Sequence, residues 1–87
     1  MSSATATPLR LSQLRRNQRA QVRAVESRGG ADPIAQRLRE LGFVADEPVR
    51  VVAQAPIGAD PLLVQIGFTR FALRRAEAER VIVEALA

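Results

Sequence analysis

The sequence predicts a mainly β fold: a small antiparallel barrel of about five short strands, with one α-helix between strands 1 and 2. Three observations carry that prediction. First, residues 62–73 (L-L-V-Q-I-G-F-T-R-F-A-L) alternate apolar and polar side chains on both sides of Gly67. A period of two puts one set of side chains on each face of a pleated strand, and two such runs around a glycine read as a hairpin. Second, Ile34, Leu38 and Leu41 fall at i, i+4 and i+7 behind Asp32-Pro33, which is one apolar helix face with a start signal. Third, the remaining apolar runs are short and closely spaced, which suits an antiparallel barrel better than a parallel sheet.

Residues 1–8 read as a disordered N-terminal tail and residues 9–87 as one domain. Leu9, Leu11 and Leu14 come next, with Ser12 placed to cap a short helical turn. In the polar turn 15–19, Asn17 is the residue best able to take a left-handed backbone. The first strand covers 20–26: Ala20, Val22 and Ala24 alternate with Gln21 and Arg23, and Val25 breaks the pattern. A glycine-containing loop leads into the helix. Gly42 ends that helix as a left-handed cap, and Phe43 folds back onto its apolar side. Another turn follows at 44–48, with Asp46 as its left-handed residue.

The second strand is 49–54, with Val49, Val51 and Ala53 on one face and Arg50 on the other. Pro56, Gly58, Asp60 and Pro61 form a turn cluster that opens the hairpin, which supplies strands three and four. Residues 76–80 make a helical corner, and 81–84 close the chain as strand five. Closure of the barrel would hide the sheet edges.

Composition narrows the function. The chain has 87 residues, no Cys and no His, and its 13 basic residues are all Arg, giving a net charge of +4. Without thiol or imidazole, the usual nucleophiles, general bases and transition-metal ligands are missing. Asp46-Glu47 and Glu77-x-Glu79 sit on surface turns with nothing to raise a carboxyl pKa by burial. A divalent ion held at Asp46 and Glu47 would be adventitious. Gly29-Gly30 precedes a helix, but Asp32 already fills its N-terminus with negative charge. No enzyme, cofactor or metal site is therefore expected. No apolar run approaches the ~18 residues of a membrane span, and residues 1–7 do not form a signal peptide, so a cytoplasmic protein is expected.

What remains is a binding module with two candidate surfaces. One is the groove where the helix crosses the barrel, rimmed by Gln36, Arg37 and Phe43. The other is the hairpin tip at Phe68, Thr69 and Arg70, where an exposed aromatic would anchor a partner.

The run L-S-Q-L at 11–14, Q-R-L-R-E-L-G-F at 36–43 and Ala55-Pro56 leading to Gly58 and Asp60-Pro61 resemble one family. So do A-L-R-R at 72–75 with Glu77-Ala78 and the closing residues 81–83. Over residues 9–85 the chain resembles FeoA, the small ferrous iron transport protein A. The resemblance implies an SH3-like barrel in the bacterial cytoplasm. Its partner would be FeoB, the ferrous iron permease with a GTP-binding domain, which it would bind and modulate rather than carry the metal. Asn17 and Asp46 stand where the family often has Gly, and Ala59 lengthens the Gly-Asp-Pro turn by one residue. The alternatives are an SH3-like nucleic-acid-binding module using its arginines, or a barrel that binds a proline-containing peptide. The sequence leaves room for a homo-oligomer.

Overall fold

Local backbone chemistry places the elements. In the computed structural model, which describes residues 9–56, 58 and 60–86, Asp32 caps helix α1 (Pro33–Glu40), its side chain accepting from the Ala35 N–H with Pro33 in the first turn. The other end is a Schellman motif. Gly42 has φ +113° and donates to the Arg39 carbonyl at 3.1 Å, while Phe43 donates to the Leu38 carbonyl at 3.1 Å. That bond turns the chain back at Phe43, and both Phe43 and Leu38 are buried in the core.

The strands are β1 (Leu9–Arg10), β2 (Ala20–Val25), β3 (Pro48–Gln54), β4 (Leu62–Ile66), β5 (Thr69–Leu73) and β6 (Val81–Ala85). A 3₁₀ turn, Leu11–Gln13, follows β1, and a short helix α2 (Arg75–Ala78) precedes β6. Every strand pairing is antiparallel, and together they form one sheet in the order β1-β6-β2-β3-β4-β5.

The expected architecture is corrected in three respects. The described residues form six strands rather than five, because Leu9 and Arg10 pair with Val83 and Ile82. The helix consequently lies between the second and third strands. The sheet is also open: β1 and β5 are its two edges and do not pair with each other. The 3₁₀ turn that follows β1 and the helix α2 that follows β5 are tied together where Arg75 Nη1 donates to the Ser12 carbonyl at 3.0 Å. The 3₁₀ turn is braced by Gln13 and not by Ser12: Gln13 Oε1 accepts from the Arg10 N–H at 2.7 Å. The 1–8 tail and Ala59 lie outside the described residues.

Three side-chain assignments also change. The register of β3 against β4 shifts between Val51 and Ala53, which sets Ala53 opposite Leu63 and off the core face of Val49 and Val51. The register of β2 against β6 shifts between Val22 and Ala24. This bulge turns Ala24 outward and Val25 into the core, as an extra residue in one strand reverses the alternation beyond it. In α1 the buried residues are Ala35 and Leu38. Leu41 is partly buried against the core, and Ile34 is 40% exposed. Burial of Ala35 and Leu38, three residues apart, rotates the helix away from the expected stripe. Leu11, Val22, Leu38, Phe43, Val51, Leu62, Val64, Leu73 and Val81 fill the interior.

Candidate functional site

The hairpin tip is built by its turn. Ile66 pairs with Thr69, so Gly67 and Phe68 are the whole loop. Gly67 has φ +58° and Phe68 does not share the positive φ, the pattern of a II′ turn with glycine at its first central position. Gln65 braces this turn from below. Its Nε2 donates to the Gly67 carbonyl at 3.2 Å, and its Oε1 accepts from Arg70 Nε at 3.2 Å. Gly67 N–H donates to the Pro48 carbonyl at 3.2 Å, which ties the tip to β3. The Phe68 ring projects from this frame wholly exposed to water. Thr69 and Arg70 are exposed beside it.

The helix surface is arranged differently. Gln36 is exposed and donates to Glu40 Oε2 at 3.3 Å. Arg37 is ion-paired to Glu77 of α2 at 2.9 Å. Phe43 does not rim a groove: it is 1% exposed and meets Phe71 with ring centroids 6.4 Å apart. The Schellman geometry at Gly42 explains its burial, since that motif packs the residue after the glycine onto the last turn. The hairpin residues thus come together as one surface, whereas the helix residues divide between an ion pair and the core.

Beside the tip lies an open cleft of about 200 Å³, lined among others by Arg19, Pro48, Arg50, Gln65, Gly67 and Leu86. Arg19, Arg50 and Leu86 were not expected there. Arg50 is readable once the hairpin register is known, because it stands opposite Gln65. The approach of Arg19 depends on pairing of β2 with β3 across the helix, which no local pattern reveals.

An enclosed ion pair among the described residues lies elsewhere. Asp32 meets Arg80 Nη1 at 2.7 Å, with side chains 8% and 12% exposed. Asp32 also accepts from the Arg28 N–H at 2.7 Å and the Ala35 N–H at 3.2 Å. The Arg28 N–H foremost, then Arg80 and the Ala35 N–H, hold its carboxyl well below the usual carboxylate range. This site is a structural clamp between the start of α1 and the turn that precedes β6. No group of three or more Asp or Glu side chains among the described residues converges as a metal ion would require. No helix among them is long and apolar enough to cross a membrane.

Comparison with known proteins agrees with this fold. The FeoA domain family model matches residues 9–85. The crystal structure of Stenotrophomonas maltophilia FeoA complexed with zinc, described as a prokaryotic SH3 domain protein, is 55% identical. The match covers 87% of this chain and 89% of that one, with a TM-score of 0.80. The solution structure of Chlorobium tepidum FeoA is 34% identical over 91% of this chain and 71% of that one, with a TM-score of 0.78. The crystal structure of T. acidophilum IdeR is 15% identical, with a TM-score of 0.70 over 98% of this chain and 37% of that one, and shares the fold alone. The comparison with curated proteins gives no match. The SH3-like architecture, the family match over residues 9–85 and the 55% identity together place the chain in the FeoA family, linked to ferrous iron transport.

Proposed function

We propose that the chain is a non-enzymatic accessory protein of bacterial ferrous iron uptake, acting in the cytoplasm through contact with the FeoB permease and modulating its GTP-binding domain. The observation that carries this reading is Phe68, wholly exposed on a turn braced by Gln65. A phenylalanine held out on a fixed frame loses little conformational freedom on binding, the property of an interface anchor. The cleft beside it, about 200 Å³, falls below the ~300–1,000 Å³ typical of small-molecule sites. The absence of Cys and His from the sequence favours a regulator over a carrier of transition metal. The role suggested for the S. maltophilia relative, a bacterial ferrous iron transport activating factor, points the same way.

Calorimetry with the isolated GTP-binding domain of the permease tests the proposal. Wild type should bind and change the rate of GTP hydrolysis. Phe68→Ser should weaken binding by about 2 kcal/mol or more while leaving folding stability within about 0.5 kcal/mol. Absence of binding by wild type, together with an unchanged hydrolysis rate, would sink it.

A further inference from the structure

The strand register lays a row of side chains across the outer face of the sheet. Arg50 of β3 stands opposite Gln65 of β4, and Gln65 stands opposite Arg70 of β5. Ala20 pairs with Val49, so Arg19 falls beside Arg50, and both line the cleft next to the hairpin. Four side chains at ~4.8 Å per interstrand step span about 15 Å. Their neighbours Val49, Val51, Val64 and Ile66 are buried on the opposite face, so the row faces water.

Charge is unevenly shared between this row and the rest of the molecule. Around the helix and β6, arginines have carboxylate partners: Arg10 with Glu26, Arg23 with Glu84, Arg37 with Glu77 and Arg80 with Asp32. In the row, neither Arg19 nor Arg50 has a carboxylate within ion-pair distance among the described residues. Arg70 bonds to the neutral amide of Gln65. Glu47 reaches the tip, its Oε1 lying 3.6 Å from where a Cβ on Gly67 would stand. It leaves the row itself with three cations and no acid.

We infer that Arg19, Arg50 and Arg70, together with Phe68, form one docking surface for an acidic polypeptide segment. Carboxylates of that segment meet the guanidinium forks, and an apolar pocket in it receives the Phe68 ring. Guanidinium groups pair with carboxylates in a planar, two-point geometry, and desolvation beside the ring strengthens such pairs. A single-stranded nucleic acid fits less well. It needs a succession of aromatic platforms, whereas Phe43 is buried, Phe71 is half-buried, and the chain has no Tyr or Trp. This assignment rests on the protein-contact reading above and names the surface and the chemistry of its partner.

The test measures binding of three probes to the full chain. They are a fluorescein-labelled peptide of Glu-Glu-Leu repeats, poly(U) RNA, and the permease GTP-binding domain. The variants are R50E/R70E, the milder R50Q/R70Q, F68S, and R37E as a control on the other surface. Thermal melts verify that each is folded. The expected result is that R50E/R70E and F68S weaken both peptide and permease-domain binding by about tenfold or more. R50Q/R70Q should act in the same direction, R37E should change neither, and RNA should bind more weakly than the peptide. Permease-domain binding that resists R50E/R70E and F68S but yields to R37E overturns the surface while leaving the functional proposal standing. No permease binding, with peptide binding still lost in R50E/R70E and F68S, does the reverse. RNA binding tighter than the peptide and abolished by R50E/R70E would make the face a nucleic-acid site and overturn the inference.

Discussion

Asp32 shows how much one side chain can hold. Its carboxylate caps α1, receives the Arg28 N–H from the preceding loop and clamps Arg80 from the far end of the chain. Because the folded-state pKa is depressed, the sign of the pH dependence follows. The contribution is fully present above the unfolded value of about 3.9 and disappears as pH falls through that value toward the folded one. Asp32→Asn retains a cap acceptor but no charge. It should be less stable than wild type at pH 7, with the difference narrowing toward pH 3, as read from urea midpoints. Parallel curves for the two proteins would show that the charge does not matter. Glu26, lowered chiefly by its bond to Arg10, adds an acid limb of the same sign, so wild type and variant will both retain some pH dependence.

At the scale of elements, the helix tests whether burial or periodicity decides. Leu38→Ala should cost about 2–5 kcal/mol as a buried large-to-small change, because Leu38 is 1% exposed. Ile34→Ser should cost far less, within about 1 kcal/mol, although both positions lie on the stripe the sequence suggests. Chemical denaturation of the two variants separates the readings, and equal losses would mean that Ile34 is packed after all.

The same comparison explains what could be read from the sequence. Turns were legible because their cause is local. Asn17 and Asp46 do adopt positive φ, 64° and 75°, the region that Asn and Asp tolerate best among non-glycine residues. Gly42 caps α1 as its place after the last apolar residue suggests. The hairpin from β4 to β5 was legible for the same reason, as its register is set by the turn at Gly67. The bulge that buries Val25, the two-residue β1 and the meeting of Arg19 with Arg50 depend on pairings between distant segments. Phe43 belongs in between. The motif that buries it is local, but its consequence, a ring sealed against Phe71, appears only when β5 is in place.

For the whole molecule, the open sheet matters most. In a two-residue hairpin the pair closing the turn is hydrogen-bonded and the pairs alternate from there. Thr69, Phe71 and Leu73 therefore face β4, and the peptide groups of Arg70 and Ala72 point away from it, along the free side of β5. No strand among the described residues pairs with that side, and an unpaired strand edge is a template onto which another extended chain can zip. Arg70 is exposed on that strand, and a fixed positive charge there is expected to repel the same residue on a second copy approaching antiparallel, as a gatekeeper does. Arg70→Val should remove that repulsion and add a β-branched apolar group. Its sedimentation coefficient should then rise with protein concentration more steeply than that of wild type, and identical profiles would acquit the strand. A residue placed to greet an acidic visitor would thus also keep the molecule from polymerising with itself.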